Sequence, residues 1–171
     1  NAAAYTAVDK AESEAFVANA VNAEAPGIIG EEAAKLGALV IHYSTDYVYD
    51  GSKAGPYLET DATHPLGVYG QTKLAGELAL AESGAKHLIF RTSWVFGAHG
   101  SNFLKTILRL ASERDELKIV ADQFGAPTSA GLIAEVTAQI LGSYLSESDR
   151  DAFPLGTYHL AAAGTTSWHE Y

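Results

Sequence analysis

Residues 38–43, Ala-Leu-Val-Ile-His-Tyr, form a mostly apolar run that stops abruptly at the polar triplet Ser44-Thr45-Asp46. Runs of the same kind at 87–93, 117–121 and 157–161 predict three further strands. Between the runs, apolar residues recur at helical spacing over 10–36, 67–83, 101–114 and 130–146. Pro26-Gly27 predicts a kink or break in the first helix. Short strands alternating with helices of this length predict an α/β fold, with a doubly wound parallel sheet and helices on both of its faces. The connection 50–66 is rich in Gly, Pro, Asp and Thr and long for a structureless link, so it reads as a lid or binding loop, with Glu59 and Asp61 solvated. The segment 146–156 reads as a surface connection, leaving residues 1–171 as one α/β domain.

Composition narrows the function classes. The chain has 21 acidic and 11 basic residues, a net charge of −10, which disfavours nucleic acid and anionic membranes as partners. Mean hydropathy is near zero, and no apolar run reaches the roughly 18 residues of a membrane span. The absence of Cys removes disulfides, thiol nucleophiles and cysteine-based zinc sites, and fits a cytoplasmic location. The six His residues show no metal-ligand spacing; His42 and His159 sit in strand patterns and read as satisfied core or interface histidines. There is no Met, not even at position 1, so the chain reads as a fragment of a longer protein.

The candidate chemistry gathers around the first strand. Ligands of open parallel sheets collect beyond the carboxyl ends of the strands, where Ser44, Thr45 and Asp46 lie. Tyr69 and Lys73 are four positions apart in a predicted helix and share one face. An ammonium beside a phenol favours phenolate, so the Tyr69 pKa is expected to be lowered. A strand-end hydroxyl facing the pair could hold a carbonyl oxygen, which Tyr69 would protonate as hydride arrives at carbon. Alone, a Tyr and a Lys at this spacing are more often a solvated helix face; the Ser-Thr-Asp strand end and the Tyr-Gly-x-Thr-Lys order raise the odds.

The blocks NAAAYTAVDKAE, HYSTDYVYDG, PYLETD, PLGVYGQTKLAGE, RTSWVFG, NFLKTILRLA, VADQFGAPTSA and YHLAAAGTTSW occur in this order from one end of the chain to the other. Together they resemble the dTDP-4-dehydrorhamnose reductases of the extended short-chain dehydrogenase/reductase superfamily. The resemblance implies an NAD(P)-binding Rossmann-like fold, incomplete at the N-terminus, with part of a small substrate-binding subdomain mainly within 94–130 and 150–171. It implies reduction of the 4-keto group of dTDP-4-dehydro-6-deoxy-L-mannose to dTDP-L-rhamnose with NADPH or NADH. Carried over by motif, Thr45, Tyr69 and Lys73 form the catalytic set, and Lys73 also holds the nicotinamide ribose. Ala3, Ala4, Tyr5 and Thr6 would line the cofactor with Tyr43, Tyr69 and Lys73, while Thr45, Asp46, Trp94 and Asn102 would face the dTDP-sugar.

Departures from the family pattern matter too. No glycine-rich strand-to-helix turn for a pyrophosphate occurs in residues 1–171, so the choice between NADH and NADPH stays open. Gly67 stands where the family usually has Asn, which weakens a polar contact or a helix cap. Some members bind Mg²⁺ at a dimer interface through an acidic residue just after Gly-Ala-Pro-Thr. Here that position is Gly131, which puts the metal in doubt, so no metal ligand is assigned and a homodimer stays open. Arg91, inside a strand, could be a phosphate ligand, but reads more readily as a buried ion pair or a backbone contact. Gln123 and Thr128 are candidates for substrate contact, and Gly125 and Pro127 set a turn. The competing functions are a nucleotide-sugar dehydratase or epimerase, and a non-catalytic regulatory subunit resembling that of methionine adenosyltransferase. A dehydratase commonly carries Asp-Glu after the strand-end Thr; here Asp46 is followed by Tyr47.

Overall fold

The computed structural model describes residues 1–171. In chain order it has helices α1 (Val8–Ala11) and α2 (Ala15–Asn19), a π-helical turn (Ala20–Glu24) and helix α3 (Ala25–Leu36). Strand β1 (Leu39–Thr45), a 3-10 turn (Asp46–Val48), helix α4 (Val68–Glu82) and strand β2 (Lys86–Thr92) follow. The rest comprises β3 (Val95–Phe96), α5 (Phe103–Glu113), β4 (Phe124–Gly125), β5 (Thr128–Ser129), α6 (Ala130–Ser146), β6 (Gly156–His159) and β7 (Thr166–Ser167). The chain divides into two compact units, residues 1–91 with 154–159, and residues 92–153 with 160–171. No helix is long and apolar enough to cross a membrane.

The first unit is α/β. Its sheet has the order β1-β2-β6, with β2 and β6 parallel and Arg91 in register with His159. Helices α3 and α4 pack on each other and on β1, and Ala33, Val40, Leu80, Ala85 and Ile89 form the apolar core between them. Full burial of Leu80 or Ile89 is worth roughly 1.5–3 kcal/mol each. Helix α3 ends at Gly37, which adopts the left-handed conformation at φ 62°.

Helix α4 lies unusually close to the chain around it. A Cβ on Gly70 would collide with the Tyr47 carbonyl, and one on Gly76 with the Asn22 carbonyl. Two glycines six residues apart thus let α4 settle against both the 3-10 turn that follows β1 and the π-helical turn. At its start Gly67 supplies no side-chain cap; Glu12 Oε1 accepts from the Val68 N–H at 2.8 Å instead. The cap expected to be weakened at position 67 is supplied from another helix.

Several elements differ from expectation. Pro26 falls in the first turn of α3, with helical backbone running on through it, so it breaks no helix. The irregularity lies just before it, in the π-helical turn. The run 117–121 is not a strand: it pairs with nothing in a sheet and Val120 is half exposed. The 50–66 connection is pinned instead of loose. Tyr57 stacks on Tyr49 at 4.3 Å between ring centroids and donates to Asp50 at 2.8 Å, while the Tyr49 hydroxyl donates to the Leu58 carbonyl at 3.0 Å. Asp61 takes Lys53 at 2.5 Å and the Leu58 N–H at 2.7 Å; Glu59 accepts the His159 N–H at 2.9 Å. Both carboxylates reach solvent, as expected, and they also anchor the loop.

The second unit has two small strand pairs, β3 with β5 in parallel and β4 with β7 antiparallel. Helix α6 is capped by Ser129 Oγ, which accepts from Leu132 N–H at 3.1 Å. An aromatic cluster joins Trp94, Trp168, Phe103 and Tyr171, with the two indoles stacked at 3.5 Å between centroids. Trp94 itself has φ 43°, the one non-glycine residue with positive φ.

Candidate functional site

Thr45, Tyr69 and Lys73 all belong to the first unit, at the carboxyl end of β1 and on the first turns of α4. The alternating burial of β1 ends with Ser44 and Thr45 both buried. Thr45 Oγ1 accepts from the Tyr47 N–H at 3.2 Å and donates to Asp46 Oδ1 at 3.1 Å, which fixes its rotamer. The Tyr69 phenol stands near the Thr45 side chain, close enough for Thr45 to favour its ionised form. The Tyr69 ring meets Tyr47 edge-on at 5.6 Å between centroids.

The electrostatics of Tyr69 differ from expectation. Its pKa is pushed up to about 12 by burial, partly offset by Thr45, and Asp46 adds to the rise. Lys73 does not lower it. The Lys73 ammonium reaches toward β1 instead, donating to the Tyr43 carbonyl at 2.7 Å and lying 3.3 Å from His42 Nε2. Spacing of four places two side chains on one helix face, but the four-carbon lysine stem lets the head choose its acceptor. Burial lowers the Lys73 pKa to about 8, with Glu77 opposing the drop.

His42 is buried beneath the lysine, and Asn1 Nδ2 lies 3.1 Å from its Nδ1. Burial first, and then the Lys73 charge, push its pKa down to about 3. It is the satisfied core histidine expected. Arg91 is the expected buried ion pair: its guanidinium grips Glu77 with Nε at 3.0 Å from Oε1 and an Nη2–Oε2 contact of 2.6 Å. The same guanidinium donates to the Tyr49 hydroxyl at 2.6 Å, which lies 2.9 Å from His159 Nε2.

Sequence reasoning missed Asn22. Its side chain, 1% exposed, accepts the Tyr5 N–H at 2.8 Å and donates to the Tyr5 carbonyl at 3.0 Å, and Nδ2 lies 3.3 Å from Thr72 Oγ1. This amide ties the 3–6 segment to α4, one residue before Lys73. The π-helical turn aims it, and a π turn leaves no mark in hydrophobic periodicity. Within the segment, Tyr5 donates to Glu14 at 2.5 Å, which pushes its pKa up to about 12, and the Ala3 N–H donates to Asn1 Oδ1 at 3.2 Å. Ala4 is half-buried and Thr6 exposed.

The remaining candidates lie in the second unit. Trp94 is stacked on Trp168, and its indole occupies the space that a Cβ at position 125 would need. Gly125 therefore does more than set a turn. Asn102 caps α5, accepting from the Lys105 N–H at 3.0 Å and donating to the Gly97 carbonyl at 2.8 Å. Thr128 is fully buried, donating to the Ala126 carbonyl and accepting from the Ala162 N–H, so it holds the fold and is not open to a substrate. Gln123 is exposed. No group of three or more His, Asp or Glu side chains is gathered as a metal site.

Comparison with known proteins gives this geometry a context. The family described as RmlD substrate binding domain matches residues 1–171. A dTDP-4-dehydrorhamnose reductase of Burkholderia thailandensis is 57% identical over the whole chain, which covers 57% of that protein. The crystal structure of a dTDP-4-dehydrorhamnose reductase from Clostridium acetobutylicum superposes with a TM-score of 0.89 at 38% identity, over 98% of this chain and 56% of the other. A Bacillus anthracis dTDP-4-dehydrorhamnose reductase in complex with NADP gives 0.84 at 38% identity, over 98% and 57%. The chain thus spans just over half the length of the relatives it matches.

Proposed function

We propose that this chain, which belongs to the RmlD substrate binding domain family, forms the catalytic half of an enzyme that reduces dTDP-4-dehydro-6-deoxy-L-mannose to dTDP-L-rhamnose. The observation that carries the reading is that Tyr69, on the first turn of α4, stands near enough to Thr45 at the end of β1 for Thr45 to act on its pKa, with Lys73 one helical turn on. The NADP bound by the Bacillus anthracis relative supports a nicotinamide cofactor. The donor set fits its ribose end, because an ammonium, a phenol and a threonine hydroxyl converge at the edge where a doubly wound sheet takes ligands. When bound, the reduced nicotinamide supplies hydride to the carbonyl carbon.

This chain's residues do the rest. Thr45 Oγ1, held by the Tyr47 N–H, gives its one proton to Asp46 in this arrangement and turns it to the sugar 4-keto oxygen when the substrate binds. Tyr69 gives its phenolic proton to that oxygen as negative charge develops there. A phenol raised to about 12 holds its proton firmly until then. Lys73 binds the ribose, and in doing so brings positive charge toward Tyr69 that is absent from its side in the unliganded arrangement. Ala3 to Thr6, fixed to the π-helical turn through Asn22 and Tyr5, line the cofactor with Tyr43. Trp94 and Asn102, with the segments 94–130 and 150–171, form the substrate side.

Tyr47 separates reduction from dehydration. An elimination base would follow Asp46, and a half-exposed phenol packed edge-on against Tyr69 occupies that place. A cytoplasmic location and a dTDP-sugar substrate belong to the same proposal. The test is to incubate the full-length protein with the 4-keto sugar nucleotide and NADPH or NADH, and follow cofactor oxidation and product by chromatography. Stoichiometric dTDP-L-rhamnose is expected. Release of a 4-keto-6-deoxy product from dTDP-glucose would replace this reading with a dehydratase.

A further inference from the structure

Lys73 is almost fully enclosed, at 2% exposure, and no carboxylate touches it. The Glu77 carboxylate, one turn along α4, is gripped by Arg91 through both oxygens. A buried ammonium without a counter-ion must satisfy its three N–H groups with neutral acceptors. The Tyr43 carbonyl takes one at 2.7 Å, and the next polar atom is His42 Nε2 at 3.3 Å. On the other side of the imidazole, Asn1 Nδ2 lies 3.1 Å from Nδ1. A neutral ring has one proton and one lone pair, so it cannot accept from both neighbours.

Two arrangements resolve this. In one, the ring proton sits on Nε2 and points at the ammonium, leaving two buried donors facing each other. In the other, the proton sits on Nδ1, Nε2 accepts from Lys73, and the Asn1 carboxamide turns its oxygen to the ring. The second gives up only the bond from the Ala3 N–H to Asn1 Oδ1, which is exposed and which water replaces. Stranding a buried donor costs more than exchanging an exposed one. We propose that His42 is a positioning residue for Lys73, held as the Nδ1–H tautomer so that its Nε2 lone pair receives the ammonium and leaves one N–H of Lys73 for a ligand. The significance of that spare N–H rests on the reading of Lys73 as the ribose-binding group; the tautomer and the hydrogen bond do not.

The acceptor works only while the ring is uncharged. Burial first, and then the Lys73 charge from α4, favour that state. Around Lys73 the charged and titratable groups are His42 on one side and Glu77 and Tyr69 from its own helix, with Arg91 behind Glu77.

Nitrogen-15 NMR of the ligand-free full-length protein reads the ring directly. The expected result is an Nδ1–H, Nε2-bare imidazole that takes up no proton down to pH 5. An Nε2–H ring, or one titrating near its ordinary value, overturns the proposal. Carbon-13 lysine NMR reads Lys73 in the same samples. His42→Leu should move the Lys73 midpoint down by about one pH unit, the size of one hydrogen bond to a charged group. His42→Gln, which keeps an acceptor oxygen, should return most of the shift, which a merely space-filling role would not do. An unchanged midpoint in His42→Leu overturns the proposal; if that variant does not fold, the wild-type tautomer decides. None of these readouts uses a substrate, so a failed reduction assay with the expected tautomer counts against the proposed reaction and not against His42.

Discussion

Two successive stretches of α4 carry charged side chains toward the same sheet and use them in opposite ways. Glu77 meets a guanidinium that covers both its oxygens, and that guanidinium goes on to Tyr49. Nothing is left over. One turn earlier, Lys73 has a backbone carbonyl and a neutral imidazole for three donors, and Tyr69 has a threonine hydroxyl in place of a counter-charge. A fully satisfied network fixes structure; an under-satisfied one is available for chemistry. The comparison predicts that substitutions at the two places will separate into losses of stability and losses of rate.

The largest effect is expected at Tyr69. Tyr69→Phe removes the proton and keeps the ring against Tyr47, so ketone reduction should fall about 10²–10⁴-fold. Nucleotide-sugar affinity and the melting temperature should barely change. Steady-state rates with a parallel titration of the sugar nucleotide check both halves, and near-normal turnover would remove Tyr69 as the acid.

At Arg91 the loss should be of the other kind. Arg91→Ala leaves the Glu77 carboxylate buried at 4% exposure without its partner, which costs about 3–5 kcal/mol. Urea denaturation should show it. Replacing both residues by apolar ones of similar size should recover much of the loss, because the cost comes from the orphaned charge. A double variant no better than Arg91→Ala would mean that the guanidinium matters through Tyr49 and the 49–61 loop instead.

Lys73 gives a pH test with two opposite signs. Its folded pKa is lowered to about 8 from an ordinary 10.5, so between those values the unfolded chain binds more protons than the folded one. The contribution of this group to stability therefore rises as pH increases from about 8 to 10.5. Cofactor affinity should fall across the start of the same interval, because the ammonium that meets the ribose is being lost. Calorimetric titration of NADPH and urea melts at matched pH values would show the two trends crossing. Affinity that holds steady to pH 10 would place the ribose contact elsewhere.

What was legible in the sequence follows from how local each signal is. The apolar run of β1, its polar end and the helix over 68–82 are set by neighbours within a few positions, and they stand where periodicity put them. The pairing of Arg91 was legible only in part: a charge inside a strand pattern needs a partner, and either a carboxylate or a backbone carbonyl could supply it, so Glu77 had to be seen. The run 117–121 was not legible, since four apolar residues around Lys118 can equally be an irregular segment and only a partner strand decides. The pinned 50–66 loop depends on His159, about a hundred residues on, and the direction taken by Lys73 depends on a carbonyl of another element. Asn22 was hidden for a different reason: an extra residue in a helical turn shifts the facing of a side chain without altering composition.

The smallest effect is expected at the start of α4, where the comparison between stretches can be extended by one turn. Gly67 leaves the helix without its own cap, and Glu12 fills the gap from α1's end of the chain at 2.8 Å from the Val68 nitrogen. A Cβ at position 67 would come within 2.9 Å of that same Glu12 oxygen, so the glycine is what admits the carboxylate. Gly67→Asn would bring an amide able to cap and would push Glu12 aside, which is cheap because the clash is with the tip of a flexible side chain. The two changes nearly cancel, and the net should stay within about 1 kcal/mol, the scale of one cap. Glu12→Ala in the unaltered background should cost about 1 kcal/mol, and less when Asn already stands at 67. Equal costs of Glu12→Ala in both backgrounds, read from urea midpoints, would show that Glu12 does not cap α4 and that the first turn is held by its glycine contacts alone.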